Sequence, residues 1–275
     1  MGKLDFDRTL VSYVDDLADA RARRVTLRHV LSHSSGFPNW RFEPGSQLIP
    51  EFEPGTKFQY SGEGFFYLQR ILEQVSGQGF CEIIDSLVFK PLGMTSSSML
   101  WKPELAERFA LPHDRRGELR KDWDKAPKRL HEIAKQKGQS VMGWKYADYE
   151  AATRETGNPP LPNYMLPNAA ASMVTTAPDY AKFVGAAIRN PDIAKEQIHI
   201  RPLLGWGLGW GIERFAGREY VWQWGDNGGY KNFLAAEPAT GDAVFVFTNG
   251  DSGARIYDRL VTHATGHEHP ALFWV

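Results

Sequence analysis

This chain is poor in cysteine, in long apolar runs and in net charge. Cys81 is the single cysteine among 275 residues, which excludes an internal disulfide framework and a cysteine-rich metal site. No run of about 18 apolar residues occurs, so the sequence predicts no membrane-spanning helix. The 32 basic and 33 acidic side chains nearly cancel, which gives no electrostatic reason to expect a nucleic-acid or anionic-membrane partner. Lys3 and Asp5 bring charge to the first residues, so no secretion signal is expected there.

The composition is otherwise that of a folded globular protein with a substantial core. Hydrophobic residues make up 42% of the chain and charged residues 24%, both ordinary values. Four of the nine tryptophans fall close together near the C-terminus, at Trp206, Trp210, Trp222 and Trp224. Because large rings bury much area, such a cluster is more often core or cleft wall. A groove for a sugar or peptide is the alternative interpretation.

The order of the predicted elements indicates an α+β fold. Apolar residues at helical spacing predict a broad helix over 64–76, which Ser76 and Gly77 close, and Thr26 is the expected N-cap of a short helix. The other predicted helices cover 7–17, 80–88, 128–137, 177–188 and 252–264. Strand-like runs follow at 206–212, 220–222, 230–236 and 243–248, separated by Gly, Asn and Asp turns. Helices first and hairpin-linked strands afterwards predict an antiparallel sheet flanked by helices, not a parallel βαβ array.

Residues 101–165 differ in character from the rest. They are rich in charge, contain six prolines and show one clear helical pattern. We interpret them as a charged insertion, or a lid over a cleft, between a helical part (1–100) and a C-terminal part (166–275) of a single domain.

The most informative segment is residues 54–64, Pro-Gly-Thr-Lys-Phe-Gln-Tyr-Ser-Gly-Glu-Gly. It presents Tyr60 on a glycine-flanked turn directly before a buried helix, which predicts a proton-transfer group. The segment resembles the tyrosine motif of the β-lactamase-like serine hydrolases, the family of penicillin-binding proteins, class C β-lactamases, D-aminopeptidases and related esterases. Further similar blocks occur in family order at 2–7, 25–38, 91–97, 169–179, 222–230 and 244–249.

The resemblance implies acyl transfer to water from an ester, amide or peptide carbonyl, without a cofactor or metal. In that family a serine attacks the carbonyl carbon, and a lysine and a tyrosine share its activation. Tyr60 matches the tyrosine, as general base or proton shuttle. The substrate-binding positions implied are Gly62, where the family often has asparagine, and Gln223-Trp224-Gly225, where it has Lys-Thr-Gly or His-x-Gly. Gln223 carries no charge, and this favours an esterase or peptidase branch over a true β-lactamase.

The family's Ser-x-x-Lys pair does not occur in this sequence, because no serine is followed by lysine three positions later. We therefore expect an N-terminal truncation, with the first strands and the nucleophile helix missing, and no activity from these residues alone. A missing central helix and an unpaired sheet edge predict poor stability or self-association. The alternative is a non-catalytic descendant that acts as a binding or scaffold protein. Relatives often work outside the cytoplasm, but the compartment of this protein stays open.

Several other patterns have simpler interpretations. The Gly250–Gly253 run resembles the trypsin nucleophile motif, but Asp251 or Ser252 as a helix N-cap explains it. His33 lies among serines, and a role in turn-stabilising hydrogen bonds is expected there because a triad depends on geometry, not on sequence proximity. The three histidines near the C-terminus, at positions 263, 267 and 269, match no tight metal site and predict a frayed tail.

Overall fold

A computed structural model describes residues 4–41, 46–156 and 166–274. The chain forms two compact units, residues 1–106 with 124–180 and residues 107–123 with 181–275. The fold is α+β, as predicted, with a six-stranded antiparallel sheet and flanking helices. The start of the 2–7 block and the prolines at 159, 160 and 162 lie outside the described residues.

The first unit contains the predicted helical part. One apolar cluster forms its core and includes Leu10, Leu27, Phe37 and Ile71. Its helices are α1 (Leu27–Leu31), α2 (Gly62–Ser76), α3 (Phe80–Ile84), α4 (Lys90–Leu92), α5 (Lys125–Gln136) and α6 (Tyr146–Glu155), with a π-helical turn, Asp85–Phe89, between α3 and α4.

Helix α2 confirms the strongest helical prediction and begins two residues earlier than predicted. The Ser61 hydroxyl accepts the Gly64 N–H at 3.1 Å, and Gly77 ends the helix in the left-handed conformation, with φ of 78°. Capping at both ends satisfies backbone groups that a helix leaves unpaired. The Thr26 cap of α1 is also confirmed, because its hydroxyl accepts the His29 N–H.

Three helical predictions need correction. Residues 7–17 contain one 3-10 turn, Leu10–Ser12, because the Leu10 N–H donates to the Val25 carbonyl and the backbone there follows the neighbouring segment. The predicted helix 80–88 changes to π-helical hydrogen bonding after Ile84. Residues 101–165 hold a second helix, α6, whose small buried face gave too weak an apolar period to predict it.

The second unit is built on the sheet. Its strands are β1 (Ile198–Arg201), β2 (Leu204–Trp206), β3 (Gly211–Phe215), β4 (Arg218–Asp226), β5 (Lys231–Glu237) and β6 (Asp242–Thr248), and each pairs antiparallel with the next. The run predicted over 206–212 is the end of β2, a turn and the start of β3, whereas β1 had no clear sequence signal. Helix α7 (Ala177–Ala187) precedes the sheet, and helix α8 (Ala254–Thr265) packs on β5 and β6, where Tyr257 stacks on Phe233.

The loop before α8 is held by the charged segment, and this corrects the predicted helix cap. Gly253 is the N-cap of α8. The Asp251 carboxylate instead accepts the Gly229 N–H at 2.7 Å and pairs with Arg120. Residues 107–123 thus belong with the sheet, whereas residues 124–156 belong with the helical unit. The lid interpretation stays a prediction.

No described helix is long and apolar enough to cross a membrane. Among the described residues the sheet ends at β1 on one side and β6 on the other. Self-association through a sheet edge stays a prediction.

Candidate functional site

Tyr60 lies directly before α2, as predicted, but it is not on a turn. The turn of this motif is at residues 54–55, where the Glu53 carbonyl accepts the Thr56 N–H at 3.2 Å, and residues 58–61 are irregular. The Tyr60 ring is half-buried, and burial raises the pKa of the phenol to about 12. At pH 7 such a phenol is protonated by about 100,000 to 1. In this environment the Tyr60 phenol is protonated, and it can accept a proton only where a neighbouring cation stabilises the phenolate.

His33 fixes the position of Tyr60 from three directions. Its carbonyl accepts the Gln59 N–H at 2.7 Å, and its Nδ1 accepts the Ser61 N–H at 3.0 Å. Its ring stacks on the Tyr60 ring with 4.1 Å between centroids. The residues on both sides of the tyrosine and the tyrosine ring itself are therefore held by one side chain and its backbone.

The local structure of His33 is unusual and explains its chemistry. Its φ is 50°, the left-handed region that few residues other than glycine adopt. The ring is 2% exposed, and burial lowers its pKa to about 3. The imidazole is therefore neutral at pH 7, and Nε2 carries its hydrogen because Nδ1 accepts.

The serines beside His33 stabilise the turn. Ser32 and Ser34 share a hydrogen bond between their hydroxyls at 2.8 Å, and the Ser35 hydroxyl accepts the Phe37 N–H at 3.2 Å. Since Nδ1 of His33 already accepts a backbone N–H, that nitrogen is not available as a base for a serine. The turn-stabilising interpretation is right for the serines, whereas the His33 side chain bonds to Ser61, 28 positions away.

Gly62, the first of the implied substrate-binding residues, is packed against Trp40. A Cβ built on Gly62 would overlap the six-membered ring of Trp40, with Cζ2 at 2.6 Å. The backbone is fixed as well, because the Asn39 side-chain oxygen accepts the Gly62 N–H at 2.9 Å. Glycine is therefore required for packing, and its role in binding substrate stays a prediction.

A partly buried ion pair between Arg41 and Glu63 joins the Trp40 segment to the first turn of α2. The Glu63 carboxylate is 5% exposed and accepts the Arg41 backbone N–H at 2.9 Å and its Nε–H at 3.0 Å. A carboxylate in the first turn of a helix is also stabilised by the helix dipole. Sequence reasoning did not identify this pair or Trp40, because no spacing rule links residues about twenty positions apart.

Gln223-Trp224-Gly225 lies on β4 in the second unit. Successive side chains of a strand point to opposite faces, so Gln223 and Trp224 lie on different faces of the sheet. The Gln223 amide donates to the Gly209 carbonyl at 2.7 Å. Trp224 packs against Trp274 with 5.0 Å between ring centroids. The role of this triplet in substrate binding stays a prediction.

The tryptophan cluster is core for the most part. Trp206 and Trp222 are fully buried and Trp210 is 7% exposed. Gly211 lies between Trp206 and Trp222 in register, and the Trp222 ring covers it. The core interpretation is right for these three rings, whereas Trp224 is half-buried.

The C-terminal histidines correct the predicted frayed tail. Both members of the His269–Glu213 pair have fully buried side chains, and the Glu213 carboxylate also accepts the Ala271 N–H at 3.0 Å. His267 accepts or donates a hydrogen bond with the Tyr220 hydroxyl at 2.8 Å. The segment after α8 is therefore held to β3 by buried polar contacts and to β4 by a partly buried one.

Comparisons with known proteins agree with this architecture. The sequence profile of the family described as Beta-lactamase matches residues 1–266. Penicillin-binding protein 4 of Amycolatopsis lactamdurans is 26% identical over 280 aligned residues, which cover 91% of this chain and 66% of that protein. A lovastatin esterase of Penicillium rubens is 32% identical over 113 residues, which cover 32% of this chain and 28% of the esterase.

Solved structures show the same fold. The octameric penicillin-binding protein homologue from Pyrococcus abyssi superposes with a TM-score of 0.68 at 21% identity, over 97% of this chain and 61% of that one. The matched part of this chain thus covers about two thirds of the length of these two penicillin-binding protein relatives. A profile match over nearly all of its residues, joined to a shared α+β fold, shows that this chain belongs to the β-lactamase family of serine hydrolases.

Proposed function

We propose that this protein hydrolyses an ester, amide or peptide bond by acyl transfer, as an esterase or peptidase rather than a β-lactamase, with Tyr60 as its proton carrier. The observation that carries the proposal is the fixed position of Tyr60 at the start of α2. His33 holds both neighbouring backbone N–H groups and stacks on the ring, and a proton-transfer group benefits from such pre-organisation.

The raised pKa of Tyr60 determines what the rest of the site must supply. A serine hydroxyl that attacks the carbonyl carbon must lose its proton, and a phenol with a pKa of about 12 cannot take it. A lysine ammonium beside the oxygen would stabilise the phenolate and lower that pKa. Tyr60 would then take the serine proton and return it to the leaving alcohol or amine, and in deacylation it would take a proton from water and return it to the serine.

The Gln223-Trp224-Gly225 segment favours a substrate that has no charge next to the scissile bond. Gln223 carries no charge, and its amide donor is engaged by the Gly209 carbonyl. A substrate carboxylate therefore gains no ion pair at this position, whereas an ester needs none. The lovastatin esterase to which part of this chain is similar points in the same direction.

The test is labelling with a fluorescent fluorophosphonate, detected by intact mass. Two wild-type forms are compared, the 275-residue chain and a longer form that includes any coding sequence in frame upstream of Met1. We expect one probe per molecule on the longer form and none on the shorter. Tyr60→Phe should slow labelling of the longer form at least about a hundredfold, whereas Tyr67→Phe, the same change in a buried residue of α2, should not.

The second candidate function is a non-catalytic binding or scaffold protein. It is favoured by the sequence itself, in which no Ser-x-x-Lys pair occurs. Failure of both forms to label would support this candidate and refute hydrolysis. Labelling of the 275-residue chain would show that one of its own serines, outside a Ser-x-x-Lys pair, is the nucleophile.

A further inference from the structure

The side-chain space of Gly62 is filled by Trp40. The Trp40 atoms Cη2, Cζ3 and Cζ2 all lie where a Cβ at position 62 would be placed. The φ of Gly62 is not in the left-handed region, so backbone conformation does not require glycine. Packing against the indole is the reason that position 62 has no side chain, and Gly62 and Trp40 form a matched pair.

Trp40 is supported by other aromatic rings. It meets Phe66 edge to face with 5.6 Å between centroids, and Phe66 meets Tyr146 in the same way at 5.7 Å. Phe66 is buried, whereas Trp40 and Tyr146 are half-buried. These three residues form an aromatic row whose two ends reach the surface of the first unit.

The charged residues next to the row offer little to a ligand. Arg41 follows Trp40 directly, but its guanidinium pairs with the buried Glu63 carboxylate at 2.9 Å and donates to the Ser46 carbonyl at 2.7 Å. Glu63 in turn accepts from the Arg41 backbone. Because these two groups satisfy each other, neither is left unpaired to bind a charged ligand beside Trp40.

We propose that Trp40 is a specificity-determining residue. Its ring fills the side-chain space of Gly62, which lies two residues after Tyr60 in the chain, and forms an aromatic wall there. The inference rests on the proposed hydrolase function and names its substrate class. An asparagine at position 62 would offer an amide donor and acceptor to the substrate. An indole ring offers a face and an edge that pack with alkyl and aromatic groups. The acyl part of the substrate is therefore apolar, with an aromatic ring preferred over a small polar group.

The specificity test compares two esters with the same leaving group, 4-nitrophenyl phenylacetate and 4-nitrophenyl acetate, on the longer form of the protein. We expect the ratio of their kcat/KM values to favour phenylacetate and to fall about tenfold in Trp40→Ala, the size of effect that one apolar contact gives. Trp40→Phe, which keeps a ring, should retain most of the ratio. Trp40→Ala combined with Gly62→Asn should lower it further, because a polar group then replaces the wall.

A binding measurement on the 275-residue chain separates this inference from the proposed function. The indole N–H signal of Trp40, assigned by its loss in Trp40→Phe, should shift on titration with phenylacetamide and not with acetamide. Hydrolysis with an unchanged ester ratio in Trp40→Ala would overturn the inference and leave the function intact. If no ester is hydrolysed, an unshifted Trp40 signal would still overturn it, whereas a selective shift would support the apolar site without the chemistry.

A packing control shows whether the matched pair is real. Gly62→Ala should destabilise the chain because its Cβ meets the indole, and the addition of Trp40→Ala should relieve that loss. Gly185→Ala is the control, since nothing lies within 4 Å of a Cβ at this position in α7. Equal effects of the two single glycine changes would contradict the pairing.

Discussion

Replacement of His33 by asparagine should remove a specific acid sensitivity from this protein. Burial lowers the pKa of His33 from 6.5 to about 3. Between pH 6.5 and about pH 3, His33 therefore binds a proton in the unfolded chain but not in the folded chain. Stability that depends on the neutral imidazole is complete above pH 6.5 and is lost as the pH falls from 6.5 towards 3.

The magnitude follows from the size of the shift. Each pH unit below 6.5 costs about 1.4 kcal/mol for one group, so the loss is about 2 kcal/mol at pH 5. Solvent screens this group little, because His33 is 2% exposed. His33→Asn has no group that titrates in this range. Asparagine tolerates a φ of 50° better than most residues do, and its Oδ1 can replace Nδ1 as the acceptor for Ser61 N–H.

The assay is urea unfolding of both proteins from pH 7.5 to pH 4.5, followed by tryptophan fluorescence. At pH 7.5 the variant should be less stable by about 1 kcal/mol, because it loses the stacking on Tyr60. Between pH 7.5 and pH 5 the free energy of unfolding of the wild type should fall by about 2 kcal/mol more than that of the variant. Two parallel pH curves would show that His33 does not stay neutral in the folded protein, and the reasoning would be refuted.

Three further predictions concern packing and burial. Burial raises the pKa of the Cys81 thiol to about 12. The thiol should therefore react with Ellman's reagent at pH 8 at least about a thousandfold more slowly in the folded chain than in urea. Equal reaction rates would contradict its burial. Glu213→Ala should lower the free energy of unfolding by about 3–5 kcal/mol, because it leaves His269 buried without its partner. Glu219→Ala breaks the partly exposed pair with Arg214 and should lower it by about 1 kcal/mol or less. Similar losses for the two variants in urea unfolding would contradict the burial of the Glu213 pair. Gly253→Ala places a Cβ 2.7 Å from a threonine Cβ on β6 and should destabilise by about 1–3 kcal/mol, and Gly250→Ala, with nothing within 4 Å, should be close to neutral in the same measurement.

Much of the fold could be predicted from local signals in the sequence. Helix α2 has a serine cap, a broad apolar face and a glycine stop, and each is a short-range feature. The strands of the C-terminal part alternate with glycine, asparagine and aspartate turns, and hairpins follow from such neighbours. Where local signals were weak, as in α6 with few apolar residues on its buried face, prediction failed.

Local signals in the sequence also failed to predict polar contacts between distant residues. The apolar spacing of residues 7–17 predicted a helix, yet the Leu10 N–H donates to the Val25 carbonyl instead. The sequence predicted a frayed tail at the last histidines, yet His269 is buried against Glu213. A tertiary partner decided both cases, and pattern alone could not identify that partner.

By itself the sequence determined the family, the class of fold, the place of Tyr60 before a helix and the lack of a Ser-x-x-Lys pair among these 275 residues. Only the tertiary structure showed that His33 holds the tyrosine and that Trp40 fills the side-chain space of Gly62. The physical reason is the separation in sequence over which each kind of interaction acts. Caps, turns and apolar periods act between residues a few positions apart, whereas the contacts that fix this site join residues 22 to 28 positions apart in the sequence, which meet only when the core has formed.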